Sequence, residues 1–298
     1  MDLNGQVAVV TGAGRGIGRS MAQHLAQAGA SVVVNDLDAD PAQHVVDEIT
    51  QAGGKAVAVA AEIGTEGAAE ACIAAALDSF GRLDVLVANA GVLRDSVLWK
   101  TEDEAFDLVI RTHLRGTFQC GRAAARHFRE AGHGGALVLV GSPAGQLGNF
   151  GQTAYAAAKA GIAGMTRTWA AELQRAEVAV NAIIPTALTR MTETIPPLAP
   201  YVQAMERGEP LPEKLRADLG IGLPEDIAPL VVYLASQAGR ATTGQCIGIG
   251  GDRLAFWSHP SEHRVQTRSG GWTPDSIAEA WPDLTRDALQ PFGITMDL

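Results

Sequence analysis

The stretch VAVVTGAGRGIGRSMAQHLAQAG, residues 7–29, decides the fold. Its first four residues form a branched apolar run that is typical of a buried strand. The segment from residue 19 onward is amphipathic and predicts a helix. Between them, the glycines of TGAGRGIG (11–18) permit a tight turn and let the backbone approach a pyrophosphate at the positive end of that helix. The stretch therefore predicts a strand, turn and helix that bind a nucleotide.

The glycine spacing narrows the kind of nucleotide site. The order Thr-Gly-x-x-x-Gly-x-Gly differs from G-x-G-x-x-G, and the Gly-Lys-Ser/Thr ending of a P-loop is missing, so ATP hydrolysis is disfavoured. An ordinary strand–helix turn is the alternative. The expected nucleotide contacts of the turn are Gly12, Arg15, Gly16, Ile17 and Gly18.

A carboxylate at the end of the second apolar run indicates which dinucleotide binds. Asp36, in VVVNDLD, lies where an acidic residue accepts the adenosine ribose hydroxyls and repels a 2′-phosphate, which favours NAD over NADP. Arg15 and Arg19 offer some charge to a phosphate, so the preference is not absolute. The alternative is a solvated carboxylate beside Asp38 and Asp40.

The rest of the chain repeats the alternation of apolar run and helix. Continuous apolar strands separated by helices indicate a parallel sheet covered on both faces. We therefore predict an α/β fold, a doubly wound, seven-stranded parallel sheet of the Rossmann type in three α/β/α layers. The six further apolar runs cover residues 32–34, 57–59, 85–87, 137–140, 178–183 and 246–249.

Two segments interrupt this rhythm. Residues 189–223 contain five prolines around a short helical segment, which favours a substrate lid over a disordered excursion. We predict one domain over 1–251 and a C-terminal extension over 252–298 that packs on the same domain or on a neighbouring subunit. Thr273 is expected to cap the last helix. The extension carries Trp257, Trp272 and Trp281.

Composition excludes several classes of function. The formal charge of −10 disfavours nucleic-acid and anionic-membrane partners. Three cysteines without metal-ligand spacing indicate a reducing compartment and no metal site. The N-terminal segment does not resemble a signal peptide, and no apolar run is long enough to span a bilayer, so we expect a cytoplasmic protein with a small-molecule substrate.

The stretch GSPAGQLGNFGQTAYAAAKAG (141–161) contains the candidate catalytic residues Ser142, Tyr155 and Lys159. Tyr155 and Lys159 are four residues apart, so they share one face of a helix. An ammonium group near a phenol favours its ionised form, and we expect it to lower the pKa of Tyr155 enough for acid/base catalysis near neutral pH. Packing of Tyr155 and solvation of Lys159 is the alternative.

The sequence resembles the short-chain dehydrogenase/reductase family over about residues 5–251. The resemblance rests on TGAGRGIG (11–18), ANAG (88–91), Ser142, YAAAK (155–159), NAIIPTALT (181–189) and TGQCIGIGGD (243–252). It implies that Lys159 also holds the nicotinamide ribose and that Ser142 binds the substrate oxygen. It also implies a homo-oligomer, with a tetramer favoured over a dimer, since the helix of Tyr155 commonly lies at a subunit interface in this family.

The resemblance implies further contacts and shows some departures. His113 stands where the family usually has a relay asparagine, and an imidazole can also hold a water and relay protons. Thr186 replaces the usual glycine, which affects the expected contact to the nicotinamide amide. The remaining residues implied to bind the cofactor, besides Asp36, Tyr155 and Lys159, are Glu62, Ile63, Asn89, Ala90, Gly91, Pro185, Leu188 and Thr189.

Three details, VVVNDL, HLRGTF and GNFGQTAY, resemble the branch with (3R)-hydroxyacyl-CoA dehydrogenase domains of peroxisomal multifunctional enzymes and bacterial 17β-hydroxysteroid dehydrogenases. Both substrate types stay open. Arg94, Arg190 and Arg207 are candidates for CoA phosphates. The alternatives are an NADPH-dependent 3-oxoacyl reductase, which Asp36 disfavours, and a non-catalytic NAD-binding sensor or scaffold, which the catalytic residues disfavour.

Overall fold

A computed structural model describes residues 1–189, 192, 193, 195 and 197–294. Its strands form one sheet in the order β3-β2-β1-β4-β5-β6-β7-β8, and the first seven strands are parallel. The predicted doubly wound fold is confirmed. The strands are β1 Val7–Val10, β2 Ser31–Asp36, β3 Lys55–Ala60, β4 Val85–Ala88, β5 Gly135–Val140, β6 Val178–Pro185, β7 Cys246–Gly250 and β8 Arg253–Trp257.

Helices cover both faces of the sheet. Met21 and Leu234 belong to the apolar cluster under α1, α2 and α9, while Phe128 and Ile162 belong to the cluster under α3, α5 and α7. The helices are α1 Gly16–Gln27, α2 Ala39–Gln51, α3 Ala68–Phe80, α4 Asp103–Val109, α5 Gly116–Ala131, α6 Ala144–Leu147, α7 Thr153–Leu173, α8 Ala199–Glu206, α9 Pro224–Ala235 and α10 Pro274–Thr285. A π-helical turn, Ile110–Arg115, joins α4 to α5.

The strand order reverses between β1 and β4, and this places the binding crevice. In open parallel sheets, ligands bind outside the carboxyl ends of the strands at such a switch point. The glycine turn follows β1, the ANAG segment follows β4, and Ser142 follows β5. The residues predicted to bind cofactor and substrate therefore meet at one edge of the sheet.

The sequence predicts seven strands, but the sheet has an eighth. β8 continues it in antiparallel orientation, from Gly250 paired with Arg253 to Cys246 paired with Trp257. The two residues between β7 and β8 are Gly251, with φ +50°, and Asp252, a glycine-containing loop that suits a tight hairpin. The first residues of the extension thus belong to the sheet.

The three tryptophans of the extension differ in burial. Trp257 packs against the core, as expected, but Trp272 and Trp281 are 40% and 57% exposed. Docking of the exposed part of the extension on a neighbouring subunit stays a prediction. Thr273 does cap α10, accepting a hydrogen bond from the Ser276 N–H.

The segment predicted to be a lid has its own small apolar cluster. It contains α8 and a π-helical turn, Lys214–Asp218. Arg216 in that turn pairs with Asp226 at the start of α9 and with Asp252 after β7. This ion-pair network ties the segment to the sheet. The cluster is formed by Leu188, Leu198, Val202, Leu215 and Ile221.

The described residues contain neither a membrane-spanning helix nor a metal-binding cluster. None of the helices in that part of the chain combines the length and apolar content needed to cross a bilayer. Within the same residues, no group of three or more His, Cys, Asp or Glu side chains is placed to hold a metal ion. The thiols of Cys72, Cys120 and Cys246 are free and buried.

Candidate active site

The glycines of the first turn are required by close backbone contacts. A Cβ at Gly12 would lie 2.7 Å from the Ala90 Cα, and one at Gly18 would lie 2.2 Å from the Gly12 carbonyl oxygen. Gly16 differs, because it has φ +56° and a Cβ there would meet only Thr189 Cγ2, at 3.9 Å. The turn thus packs tightly against the ANAG segment and within itself, and it leaves space for a ligand at Gly16.

The N-terminus of α1 faces this approach and suits an anion. Arg15, which precedes the helix, provides no side-chain cap for the first N–H groups of α1. Together with the positive end of the helix dipole, these N–H groups fit a pyrophosphate. Ile17 packs against the core beneath them.

The two arginines near the turn are engaged by acidic side chains. Arg15 pairs with Asp38 at 3.0 Å, and Arg19 binds the Glu48 carboxylate on α2. A contact of Arg19 with a phosphate stays a prediction, and it would compete with the ion pair to Glu48. Arg15 stays half-exposed, and a surface pair of this kind is weak.

Asp36 is buried at the carboxyl end of β2. Its Oδ2 accepts a hydrogen bond from the Gly14 N–H at 2.9 Å, and its Oδ1 accepts one from the Asp38 N–H at 3.3 Å. These contacts hold the carboxylate against the glycine turn. The position fits a group that receives ribose hydroxyls.

Two buried polar residues hold the turn in place, and the sequence analysis assigned neither a role. The Asn35 amide donates to the Val59 and Ala61 carbonyls, linking β2 to the end of β3. Thr11 Oγ1 accepts from the N–H groups of Asn89 and Ala90. The role of Asn35 could have been predicted from its place in the apolar run VVVND, because a buried amide needs hydrogen-bond partners.

The ANAG segment supports the turn from the other side. Asn89 Nδ2 donates to the Thr11 and Gly12 carbonyls, both at 2.9 Å. Gly91 is needed because a Cβ there would lie 2.2 Å from His113 Cε1. These residues therefore shape the floor of the crevice.

The other residues implied to bind the cofactor differ in how exposed they are. Ile63 is buried, while the Glu62 carboxylate is half-exposed and paired with Arg111 at 2.8 Å. Pro185 ends β6 at the crevice, and the Thr189 N–H donates to Thr192 Oγ1 at 2.8 Å. Leu188 is fully buried among the apolar residues of the predicted lid, and its N–H donates to the Gly222 carbonyl at 2.8 Å.

Ser142, Tyr155 and Lys159 meet at the carboxyl end of β5. The Ser142 hydroxyl lies close enough to Tyr155 to favour its ionised form, and Ser142 Oγ accepts from the Ala144 N–H at 3.2 Å. The Lys159 ammonium lies 5.5 Å from the centroid of the Tyr155 ring and donates to the Val140 carbonyl at 2.6 Å. The predicted cluster forms, and Lys159 retains two N–H donors for a ligand.

Burial dominates the protonation of this cluster. It raises the pKa of Tyr155, with the Ser142 hydrogen bond opposing, and it lowers the pKa of Lys159 to about 7. Without cofactor, loss of water has the largest influence on the pKa of both groups. A lowered pKa of Tyr155 beside Lys159 and the charge of an oxidised nicotinamide stays a prediction for the enzyme with its cofactor bound.

His113 lies in the π-helical turn with its ring edge-on to the Tyr155 ring, at a centroid distance of 5.1 Å. Burial and the charge of Lys159 lower its pKa to about 3, so the ring is neutral near pH 7. Nε2 lies 3.0 Å from the Val92 nitrogen and 2.8 Å from its oxygen, and a neutral ring uses one of the two. Nδ1 is buried and has no partner among the described residues.

The Rossmann sheet, the glycine turn and the Ser142, Tyr155 and Lys159 cluster define a nicotinamide-dependent oxidoreductase. The family model for short chain dehydrogenases matches residues 6–197, which is more than half of the chain. The chain therefore belongs to the short chain dehydrogenase family, whose members use NAD or NADP, and it is an oxidoreductase that acts on CH–OH groups.

Named relatives resemble the chain over most of its length. The hydroxyacyl-CoA dehydrogenase ChsB1 of Mycobacterium tuberculosis is 40% identical over 99% of this chain and 93% of its own. The peroxisomal multifunctional enzyme type 2 of Mus musculus is 38% identical over 94% of this chain, which spans 37% of that enzyme. A solved short chain dehydrogenase from Mycobacterium avium is 39% identical with a TM-score of 0.84, and the match covers 99% of both chains.

Proposed function

We propose that the protein is an NAD-dependent dehydrogenase that oxidises the secondary alcohol of a 3-hydroxyacyl-CoA. The observation that carries the proposal is the Ser142, Tyr155 and Lys159 cluster at the carboxyl edge of the sheet, beside the glycine turn. A bound NAD would accept the hydride. The chain supplies binding, orientation and proton transfer.

Each residue of the cluster has a distinct task. Ser142 Oγ accepts from the Ala144 N–H, so its own hydrogen is available to orient the substrate oxygen. Tyr155 takes the hydroxyl proton as general base. Lys159 is held by the Val140 carbonyl and directs its remaining N–H donors to the cofactor ribose and towards Tyr155.

His113 is proposed to belong to the proton path. Nδ1 is its buried ring atom without a partner among the described residues, so a water bound there would complete its hydrogen bonding. A pKa of about 3 means that the neutral ring passes a proton by exchanging tautomers.

Asp36 carries the proposed preference for NAD, with NADP as the weaker ligand. A 2′-phosphate would face the carboxylates of Asp36 and Asp38, and Arg15 is already paired with Asp38. We expect Asp36→Asn to lower kcat/KM for NAD about tenfold and to raise it for NADP about tenfold, since one repelling charge is removed. Steady-state assays with both cofactors measure this.

Asp40→Asn is the matched control, because Asp40 is an exposed carboxylate in the first turn of α2. Its cofactor ratio should equal that of the wild type. An unchanged ratio in Asp36→Asn would remove the basis for the NAD preference.

The acyl-CoA substrate class is supported by the names of relatives. ChsB1 is named a hydroxyacyl-CoA dehydrogenase, and BbsD of Thauera aromatica, 36% identical over 86% of this chain, is named a dehydrogenase of a succinyl-CoA derivative. Among the arginines expected near CoA phosphates, Arg94 donates to the Leu93 carbonyl and Arg207 is paired with Glu209. Arg190 lies outside the described residues.

The substrate class is tested by competition. NADH formation is followed with (3R)-hydroxyacyl-CoA, its (3S) isomer and 17β-hydroxysteroids as single substrates, and the two best are then mixed. We expect the (3R)-hydroxyacyl-CoA to give the highest kcat/KM. A higher value for the steroids would assign the chain to the hydroxysteroid type.

The quaternary structure is also proposed. On α7, a Cβ at Gly161 would meet Leu114 of the same chain, but one at Gly164 would meet nothing within 4 Å. This open, small-residue face of α7 supports a homotetramer packed through that helix, with the extension of residues 252–298 as a second element of contact. Buried free thiols support a reducing, cytoplasmic location.

A further inference from the structure

Gln152, immediately before α7, connects two loops of the site. It is buried, and both ends of its amide are bonded: Nε2 donates to Asp95 Oδ2 at 2.8 Å, and Oε1 accepts from Asn149 Nδ2 at 2.9 Å. The Gln152 carbonyl accepts from the Ala156 N–H at 2.7 Å, inside the first turn of α7. Fixing Gln152 therefore fixes the start of the helix that carries Tyr155.

The loop after β4 is joined to the loop before α7 at more than one point. Besides the Asp95–Gln152 bond, the Ser96 N–H donates to the Gly151 carbonyl at 2.8 Å. The same loop includes Val92, which contacts the His113 ring. Tyr155 is thus held between His113 on one side and the segment behind Gln152 on the other.

The charge of Asp95 is not neutralised by a basic side chain. Within the described part of the chain it forms no ion pair, and its hydrogen bond goes to a neutral amide. Three groups lie near the Tyr155 phenol, namely the Lys159 ammonium, the neutral His113 ring and the Ser142 hydroxyl, while the Asp95 carboxylate lies further away, bonded to Gln152. Asp95 opposes ionisation of the phenol, whereas the Ser142 hydrogen bond favours it.

We propose that Asp95 is a positioning residue for Tyr155, which fixes the start of α7 through Gln152 and brings a carboxylate to the loop behind the Tyr155 ring. The inference rests on the proposed acid/base role of Tyr155. Asp95 lies at the surface, where water and salt screen its charge. The effect on Tyr155 is therefore modest and depends on ionic strength.

The test measures the pKa of Tyr155 directly. The chain has three tyrosines, so ¹³C NMR of the ring ζ carbons gives three titration curves, and Tyr155→Phe identifies one of them. Incorporated difluorotyrosine, with its more acidic phenol, keeps the titration in a range where the protein is folded. We expect Asp95→Asn to lower the pKa of Tyr155 by about half a unit at low salt and by less at 1 M salt.

A second variant separates charge from structure. The side-chain amide introduced by Asp95→Asn still accepts a bond from Gln152, so kcat at its optimum should change less than twofold while the acidic limb of the kcat/KM profile moves to lower pH. Gln152→Ala keeps the charge and breaks the link, so kcat should fall about tenfold without a lowered Tyr155 pKa. Tyr201 and Tyr233 are the internal controls.

The outcomes decide between the possible roles. An unshifted Tyr155 pKa in Asp95→Asn, or a shift that salt does not reduce, would overturn the electrostatic part. Unchanged kcat in Gln152→Ala would overturn the positioning part. Because the NMR titration needs no turnover, an inactive enzyme with a shifted Tyr155 pKa would reject the proposed function and keep this inference.

Discussion

Tyr155→Phe is expected to lower kcat/KM by about 10³-fold or more while leaving NAD affinity unchanged. The variant removes one oxygen from a ring that packs edge-on to His113, so the shape of the site is retained. It also removes the hydroxyl that is bonded to Ser142 and that would take the substrate proton. General acid/base catalysis contributes about 10²- to 10⁴-fold, and His113 does not replace the phenol, since a pKa of about 3 makes its ring a weak base.

Two measurements make this result specific. Titration calorimetry with NAD tests whether the cofactor site is intact, and Tyr233→Phe, at a half-exposed tyrosine on α9, is the matched control. Tyr233→Phe should keep wild-type kinetics. A Tyr155→Phe enzyme with more than a tenth of wild-type activity would show that another group takes the proton.

Lys159→Met is expected to abolish most of the activity and to stabilise the fold. The Lys159 ammonium is almost completely buried, and its pKa falls from 10.5 to about 7 because burial disfavours the charge. That difference corresponds to several kcal/mol against folding at pH 7. The variant also loses the bond to the Val140 carbonyl, which lowers its stability and offsets part of this gain. We therefore expect a net increase of about 2 kcal/mol in the free energy of unfolding at pH 7.

The gain should depend on pH in a defined direction. In the unfolded chain Lys159 keeps its proton up to about pH 10.5, whereas in the fold it keeps it only below about 7. Unfolding therefore takes up a proton between these values, and wild-type stability rises with pH across that window. The advantage of Lys159→Met is complete below pH 7 and shrinks as the pH rises towards 10.5.

Urea unfolding at several pH values measures this effect. Lys55→Met, at an exposed lysine on β3, is the control and should change stability by less than about 0.5 kcal/mol. A Lys159→Met protein that is less stable than the wild type at pH 7 would mean that the lysine is retained for stability. The expected result assigns it to function instead.

The part of the site that depends on local spacing could be predicted from the sequence. Tyr155 and Lys159 share a face because they are four residues apart on a helix, and Asp36 ends a buried strand whose carboxyl edge carries the site. These relations need only the type of element on which a residue lies. The seven parallel strands followed for the same reason, because each is a continuous apolar run.

Relations between distant segments could not be predicted. The Asp95–Gln152 hydrogen bond joins residues that are 57 positions apart, and the Glu62–Arg111 ion pair joins residues that are 49 positions apart. The raised pKa of Tyr155 depends on how much water the assembled fold excludes, which no local pattern reports. β8 was missed because its side chains are largely exposed on a sheet edge, and only the Gly251-Asp252 turn marked it.

The central claim is that Tyr155 makes this chain a dehydrogenase of 3-hydroxyacyl-CoA with NAD. The most direct test records absorbance at the NADH band after purified protein is mixed with NAD and a (3R)-hydroxyacyl-CoA, with Tyr155→Phe in parallel. We expect rapid NADH formation by the wild type and almost none by the variant. Equal rates in both proteins, or no NADH from a wild type that binds NAD, would contradict it.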